Sequence, residues 1–399
     1  MNILFLMKLM HIGGQEMVTI TLANYFASKG HNVSIVCFEE PWKEAVERTH
    51  SDVRFYTLGT FEYSRLNVRR LNEILSKEKT DVVVNQWGLP YIPSKVLDAA
   101  LKLGGTFNPN IKKIAIYHND PLTNARIKDV EIALDGCKNP LKRSLLKLKK
   151  CLFKKVTSRS MRYVYEHCDQ YQVLSPNYIE NFKQFTGIPK LDRIVFQANP
   201  LTIDSDGFIY TLEKKQKEII YCGRIDFNQK RVYRLIDVWS FLEPLFPDWR
   251  LTIVGDGEAR KDVEDRVETL KLQRVCFEGF QKPIEYYKRA SILVLTSEYE
   301  GFPLVLAECM NFGVVPCVYD SFAALRDILE DGKNGVVVEK VNGTFSAKKM
   351  AEKLGPIMND DAKRNKMANA AIERSKLYSV ENIYQQWIAN LETLQHKND

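Results

Sequence analysis

The stretch from Ile292 to Gly313, ILVLTSEYEGFPLVLAECMNFG, is compatible with few folds. Its opening run, Ile292 to Thr296, is short and almost wholly apolar, as suits a strand covered on both faces of a parallel sheet. Gly301 permits a sharp turn, and Pro303 suits the first position of a helix. The helix expected over Pro303 to Asn311 is apolar nearly all round, so it too belongs inside the protein. Two carboxylates stand in this apolar frame, Glu300 before the helix and Glu308 within it. A buried carboxylate needs a partner, because leaving it unpaired is costly. One reading makes them structural, satisfied by a backbone amide or an arginine. The other puts Glu300 at the carboxyl edge of a parallel sheet, where open α/β folds bind ligands. The adjoining helix N-terminus then offers free N–H groups to an anion such as a phosphate.

The same strand–helix alternation runs through the rest of the chain. Strands are expected near 2–6, 31–38, 53–57, 81–85, 113–118, 171–174 and 193–196, and again near 218–222, 250–254, 275–277, 292–296, 314–318 and 336–338. Such an order predicts an α/β protein with a doubly wound parallel sheet in each half. A chain of 399 residues suits two or three domains. Asn199-Pro200 and the polar segment to Gln216 read as a linker. Domains are therefore expected over 1–198 and 199–378. An amphipathic helix over 379–399, with Ile383, Trp387 and Leu391 in register, is expected to pack back on the first domain.

Several functional classes drop out. No apolar run approaches the roughly 20 residues of a membrane-spanning helix. The opening MNILFLMKLMHIGG lacks a basic n-region and a small-residue cleavage site, and reads as a first strand rather than a secretory signal. Eight scattered cysteines without a C-x-x-C pair argue for reduced cytosolic thiols, and six dispersed histidines show no metal-ligand spacing.

Residues with chemistry to offer gather at strand ends. Gly13-Gly14-Gln15-Glu16 forms a turn into a helix, where backbone can approach an anion or a sugar. His118, followed by Asn119-Asp120-Pro121, ends a strand; it either faces a ligand or caps its own loop. Gly223 to Arg231 carries Arg224 and Lys230, a forked donor and a point charge suited to a diphosphate. Gly255-Asp256-Gly257 is an incomplete G-x-G motif without a ribose-binding acid, so nicotinamide binding is rejected. From Leu141 to Arg159 the chain has eight Lys or Arg and no acid, with Leu141, Leu145, Leu148, Leu152 and Val156 at helical spacing. This is an amphipathic helix for an anionic membrane, a core-facing helix with a basic back, or a nucleic-acid surface, the last weakened by the absence of a recognisable binding module elsewhere in the sequence.

Together, GGQE (13–16), HND-P (118–121), GRIDFNQKR (223–231), VGDGEAR (254–260), FEGF (277–280), SEYEGFPLVLAECM (297–310) and EDGKNGVVV (330–338) resemble the family-4 retaining glycosyltransferases, over essentially the whole chain. The resemblance implies the GT-B fold, two doubly wound Rossmann-like domains facing a central cleft. It implies that Arg224 and Lys230 hold the donor diphosphate, that Glu308 accepts from the ribose hydroxyls, and that Glu300 with the amides of Gly301 and Phe302 orients the sugar. By the same resemblance His118 contacts the sugar, while Gly14, Glu16 and Gly223 line the donor site. Front-face attack by the acceptor follows from the family alone. Asp320-Ser321-Phe322 stands where the family often has a Gly-Gly-x-Pro-Glu turn, and Lys230-Arg231 is expected to add a charge near the cleft.

The leading expectation is a metal-independent, cofactor-free transferase that moves a hexose or N-acetylhexosamine. The donor is a nucleotide sugar, UDP-linked, and the acceptor lipid-linked or a polysaccharide. Asp204-Ser205-Asp206 matches a metal-binding D-x-D pattern but follows no buried strand, so no metal role is assigned to it. Competing expectations are a nucleotide-sugar 2-epimerase and a non-catalytic nucleotide-sugar-binding partner. The protein is expected in the cytoplasm, peripheral on the inner face of the membrane through Lys149, Lys150, Lys154 and Lys155, with no nucleic-acid partner.

Overall fold

The structure is a computed structural model describing residues 1–396. The chain divides into two compact units, one formed by Met1–Thr202 with the residues from Val380 onward, the other by Ile203–Ser379. Thr202/Ile203 is therefore the boundary, against the expected 198/199.

The first unit is built on seven strands: β1 (Asn2–Met7), β2 (Asn32–Cys37), β3 (Arg54–Thr57), β4 (Val82–Asn85), β5 (Lys112–Tyr117), β6 (Gln170–Val173) and β7 (Ile194–Phe196). They pair in the order β3-β2-β1-β4-β5-β6-β7, every pair parallel. Helices cover the sheet, so β1 and β4 are buried along nearly their whole length. That double burial is why they read as unbroken apolar runs. Leu4, Leu6, Val36, Leu58 and Val83 meet Leu71, Leu75, Val96 and Leu97 in one core. The C-terminal helix Val380–His396 belongs to this unit. Tyr384 packs edge-on against Phe26 at 5.3 Å, Trp387 lies 6.1 Å from the same ring, and Lys29 pairs with Glu381 at 3.0 Å. Burying Ile383, Trp387 and Leu391 contributes about 1.5–3 kcal/mol each. Of the helix expected over 379–399, residues 397–399 lie outside the described residues.

In the second unit β8 (Gln216–Cys222), β9 (Arg250–Val254), β10 (Val275–Gly279), β11 (Ala290–Leu295), β12 (Val315–Tyr319) and β13 (Val336–Val338) form a parallel sheet in the order β10-β9-β8-β11-β12-β13. The segment read as a linker is packed structure. Phe208 lies 5.6 Å from the Phe312 ring, and Tyr210 Oη donates to Asn365 at 3.0 Å. A Cβ on Gly313 would come within 2.3 Å of the Tyr210 ring. Polar composition suggested a linker there because the apolar triplet Phe208-Ile209-Tyr210 is short and stands between polar stretches.

In each sheet the strand order reverses once, between β1 and β4 and between β8 and β11. Ligands of doubly wound sheets bind at the carboxyl ends of the strands at such a reversal.

Candidate active site

At the reversal of the second unit, β8 runs into a loop organised by Asp226. Its Oδ1 accepts from the amides of Gln229 at 2.7 Å and Lys230 at 2.9 Å, and its Oδ2 takes Arg224 Nε at 3.0 Å. Asp226 is 5% exposed, while the Arg224 side chain it anchors is 65% exposed. The guanidinium is thus held chiefly at one edge, with much of the group left to solvent. Arg224 Nη2 donates to Gln229 Oε1 at 3.2 Å, and Gln229 Nε2 reaches the Tyr299 carbonyl at 3.3 Å and Glu300 Oε2 at 3.5 Å. Lys230 Nζ closes the circuit on Glu300 Oε1 at 2.6 Å. Three of the residues singled out in the sequence, Arg224, Lys230 and Glu300, therefore share one network at the ends of β8 and β11.

Glycines 255 and 257 have a reason of their own. The β9 loop lies against the β8 loop, with Gly223 N on Val254 O at 3.0 Å and Ile225 N on Asp256 O at 2.9 Å. A Cβ at 255 would fall 1.9 Å from Gly223 O, and one at 257 would fall 2.2 Å from Ile225 O. Close backbone approach explains this G-x-G, which buttresses the loop carrying Arg224.

Glu308 is buried in the helix Leu304–Asn311 and takes a hydrogen bond from Tyr287 Oη at 3.3 Å. Gly301 and Phe302 lead into that helix, with Phe302 packed on Tyr378 at 5.3 Å between ring centres. Cys222 and Cys309 lie in the same interior, and burial pushes both thiols up, so they stay protonated and unreactive. Arg231 departs from expectation. It pairs with Glu298 at 3.2 Å, a carboxylate that it shares with Arg234 at 2.9 Å, so it is held in an ion-paired trio that keeps one net positive charge.

The first unit presents a second cluster at its own reversal. Gly13 caps the helix Gly14–Ser28, and Gln15 Nε2 donates to the Gln86 carbonyl at 2.6 Å. The Gln86 side chain meets His118 Nε2 at 2.6 Å through Oε1. Burial drives the His118 pKa down to about 4, so the ring is neutral at pH 7. With Gln86 Oε1 on Nε2, the proton sits at Nε2 and Nδ1 keeps a lone pair. Among the described residues, neither His118 Nδ1 nor Gln86 Nε2, both enclosed, finds a partner. Buried polar atoms are rarely left so. Glu16 is buried 3.3 Å from His11 Nδ1, and burial raises its carboxyl above the usual range against the opposing effects of a backbone hydrogen bond and His11. Asp120 instead caps its own turn, accepting from Leu122 N and Asn181 Nδ2, both at 2.9 Å.

Family models match almost end to end: Glycosyltransferase Family 4 over residues 12–204, and Glycosyl transferases group 1 over 203–374. The chain belongs to the family-4 glycosyltransferases. This transferase is 25% identical over 398 residues, 97% of either chain, to the GalNAc-alpha-(1->4)-GalNAc-alpha-(1->3)-diNAcBac-PP-undecaprenol alpha-1,4-N-acetyl-D-galactosaminyltransferase of Campylobacter jejuni. It is 35% identical over 129 residues, covering 30% of this chain and 35% of the other, to the lipopolysaccharide 1,6-galactosyltransferase of Salmonella typhimurium. Its fold is that of Anabaena HepE, solved in complex with UDP, at a TM-score of 0.72 and 18% identity over 98% of this chain and all of that one. The architecture is GT-B.

Sequence reading of the transferase missed Asp226, Gln229, Gln86 and Gln15. Three of these sit inside motifs already noted, where the cations and glycines drew attention from the residues that hold them. Gln86 had only one signal, its place directly after a buried strand. The acidic triplet in 204–206 forms a local turn, Asp204 Oδ1 accepting from Asp206 N at 3.2 Å.

The basic helix of the transferase spans Pro140–Glu166, begun by Asn139 capping Lys142 N at 3.1 Å and by Pro140 in the first turn. It packs beside the helix Ala125–Asp135, which sequence reading did not foresee, and Lys150 pairs with Glu131 of that helix at 2.8 Å. Lys150 is therefore not a free membrane-facing cation as expected. The leucine stripe points away from the protein, with Leu141 79%, Leu145 and Leu148 68%, and Leu152 and Val156 56% exposed. The core-facing reading of that stripe is overturned.

Proposed function

We propose that this glycosyltransferase moves a hexose or N-acetylhexosamine from a UDP-linked sugar to a lipid-linked or polysaccharide acceptor, with retention at the anomeric carbon and without a metal ion. The observation that carries the reading is the network of Arg224, Gln229, Lys230 and Glu300 at the β8/β11 reversal. The acceptor class draws support from the undecaprenol-linked and lipopolysaccharide substrates named for the two relatives. UDP draws support from the HepE complex.

In this reading the bond from the anomeric carbon to the diphosphate breaks as the acceptor hydroxyl approaches the same face. Negative charge grows on the departing phosphate oxygen, and the acceptor proton passes to it. Arg224 and Lys230 meet that charge as fixed cations, the largest single source of acceleration in such a step. Their presence is the basis for assigning no metal. Glu300 holds Lys230 in place and turns to the sugar when the diphosphate takes over the ammonium. Glu308 accepts from the ribose hydroxyls, and the amides of Gly301 and Phe302 help seat the donor beside Gly223. His118 Nδ1 accepts from a sugar hydroxyl, with Gly14 and Glu16 at the adjoining turn.

The test is UDP release from a panel of UDP-sugars with and without lipid-diphosphate-linked oligosaccharides, in buffer containing a chelator, with the product anomer read by NMR. One donor turned over with an α-linked product from an α-linked donor supports the proposal. An inverted product, or loss of activity on chelation, overturns the retaining or the metal-free part.

A further inference from the structure

We infer that Trp42 is the platform on which a sugar ring of the acceptor rests, with His11 meeting one of its hydroxyls. The inference rests on the reading of the protein as a transferase to a glycan acceptor. Tryptophan is highly buried on average, yet Trp42 is 56% exposed. Its backbone is nonetheless fixed on both sides. The amide donates to the carbonyl of the buried Met10 at 2.8 Å, and the carbonyl accepts from Ala45 N at 3.0 Å and Val46 N at 3.2 Å. A large apolar ring is thus held out to solvent from a rigid stem, at the carboxyl end of β2 and beside the strand-order reversal.

His11, on the loop after β1, supplies the polar edge. Its ring lies 5.8 Å from the Trp42 ring at 60°. Glu16 holds it from below, Oε1 standing 3.3 Å from Nδ1, which leaves Nε2 as the nitrogen for a ligand hydroxyl. Gly13 leaves room for this fold-back, since a Cβ there would fall 2.5 Å from Glu16 Oε2 and 3.0 Å from His11 Nε2.

The chemistry of the patch selects the occupant. Glu40, Lys43 and Glu44 stand exposed around Trp42, of mixed sign, so neither an anion nor a broad apolar partner is favoured. A pyranose fits, because its C–H groups meet the negative face of the indole while its hydroxyls reach the polar rim. Position separates this sugar from the donor's. His118 follows β5, and β1 and β4 lie between β5 and β2. Three inter-strand steps set the two sites about 14 Å apart, farther than one sugar ring reaches.

The experiment is saturation-transfer NMR on the full chain with UDP, using the methyl α-glycosides of galactose, glucose, N-acetylgalactosamine and N-acetylglucosamine as probes. At least one glycoside should take up saturation at its C–H protons, and a UDP-sugar should not displace it. Trp42→Ala should weaken that binding roughly tenfold, and Trp42→Tyr should keep most of it because a ring remains. His11→Ala should weaken it by roughly threefold, one hydrogen bond's worth. Melting should not move in Trp42→Ala, whose side chain is already largely in solvent. In turnover, Trp42→Ala should raise the acceptor KM by about tenfold, with UDP affinity and kcat at saturating acceptor little changed. Wild type that binds none of the four glycosides, or binding equal in Trp42→Ala, would overturn the inference. So would displacement by the UDP-sugar, since Trp42 would then serve the donor. Glycoside binding that depends on Trp42 in a protein that transfers no sugar would uphold the platform and strike the transferase reading alone.

Discussion

Lys230 and Glu300 stand 70 positions apart in the chain and meet at 2.6 Å, the ammonium 19% and the carboxylate 5% exposed. The pair ties the loop after β8 to the loop after β11, alongside a backbone bond from Glu298 N to Gln229 O at 2.7 Å. A pair this enclosed is costly to break from one side, because the surviving charge stays behind unpaired. Lys230→Ala should therefore lose about 3 kcal/mol or more of stability in urea melts, and adding Glu300→Gln should restore most of it. A double variant no more stable than the single one would show that the pair is not an energetic unit.

Arg224 separates stability from chemistry. Its side chain is largely in solvent and anchored only at Nε to Asp226, with one further bond to Gln229. Arg224→Ala should melt within about 1 kcal/mol of wild type, as exposed ion pairs contribute little. Turnover should fall roughly 100-fold or more, because charge on the leaving diphosphate goes uncompensated. Turnover within a few fold of wild type would remove Arg224 from the donor site.

Glu308 and Glu300 are eight positions apart and bond to different partners, Tyr287 for one and Lys230 for the other. Glu308→Gln should weaken binding of free UDP more than Glu300→Gln does, by calorimetric titration, since the ribose belongs to UDP and the transferred sugar does not. Equal affinities in Glu308→Gln and wild type would leave Glu308 a structural residue.

Strands of both sheets were legible because burial on two faces leaves few polar residues in them, as in β11, where every position is buried and Ser291 is the one polar residue. The cations and carboxylates were legible because they interrupt such runs at their carboxyl ends. What escaped notice lacked that contrast. The helix Ala125–Asp135 has only Ile127, Val130 and Leu134 buried, and its eleven residues depend on packing more than on pattern. Gln86 is a neutral residue whose importance comes from Gln15 and His118, 71 and 32 positions away. The orientation of the leucine stripe was open in the sequence, since a helical period shows that a face exists and not what it meets.

Gly255→Ala tests the buttress behind Arg224. The glycine has φ +140°, and the added Cβ would lie 1.9 Å from Gly223 O, a backbone atom that cannot swing aside. Both the conformation and the clash should cost stability, by more than about 2 kcal/mol. The strain falls on the loop that positions Arg224, so donor KM should rise in whatever fraction stays folded. A variant with wild-type melting and wild-type KM would show that the two loops are not coupled.

His118 carries the last prediction, and its sign follows from the direction of its shift. The folded protein holds the ring at a pKa of about 4, below the unfolded value of 6.5, with burial as the cause. Between those two values the unfolded chain binds the proton and the folded chain does not, so stability should fall as pH drops from 6.5 towards 4. The loss attributable to this one group is at most about 3 kcal/mol, and His118→Gln should flatten that part of the stability–pH curve. Catalysis should show no limb near pH 6.5 from this ring, because it stays neutral through the working range. Gln86→Leu is the informative companion. It removes the acceptor that keeps the proton on Nε2, frees the ring to carry it on Nδ1, and so takes away the lone pair that a sugar hydroxyl would meet. Donor affinity in Gln86→Leu should fall while free UDP binds as before; unchanged donor affinity would show that His118 is no more than the cap of its own turn.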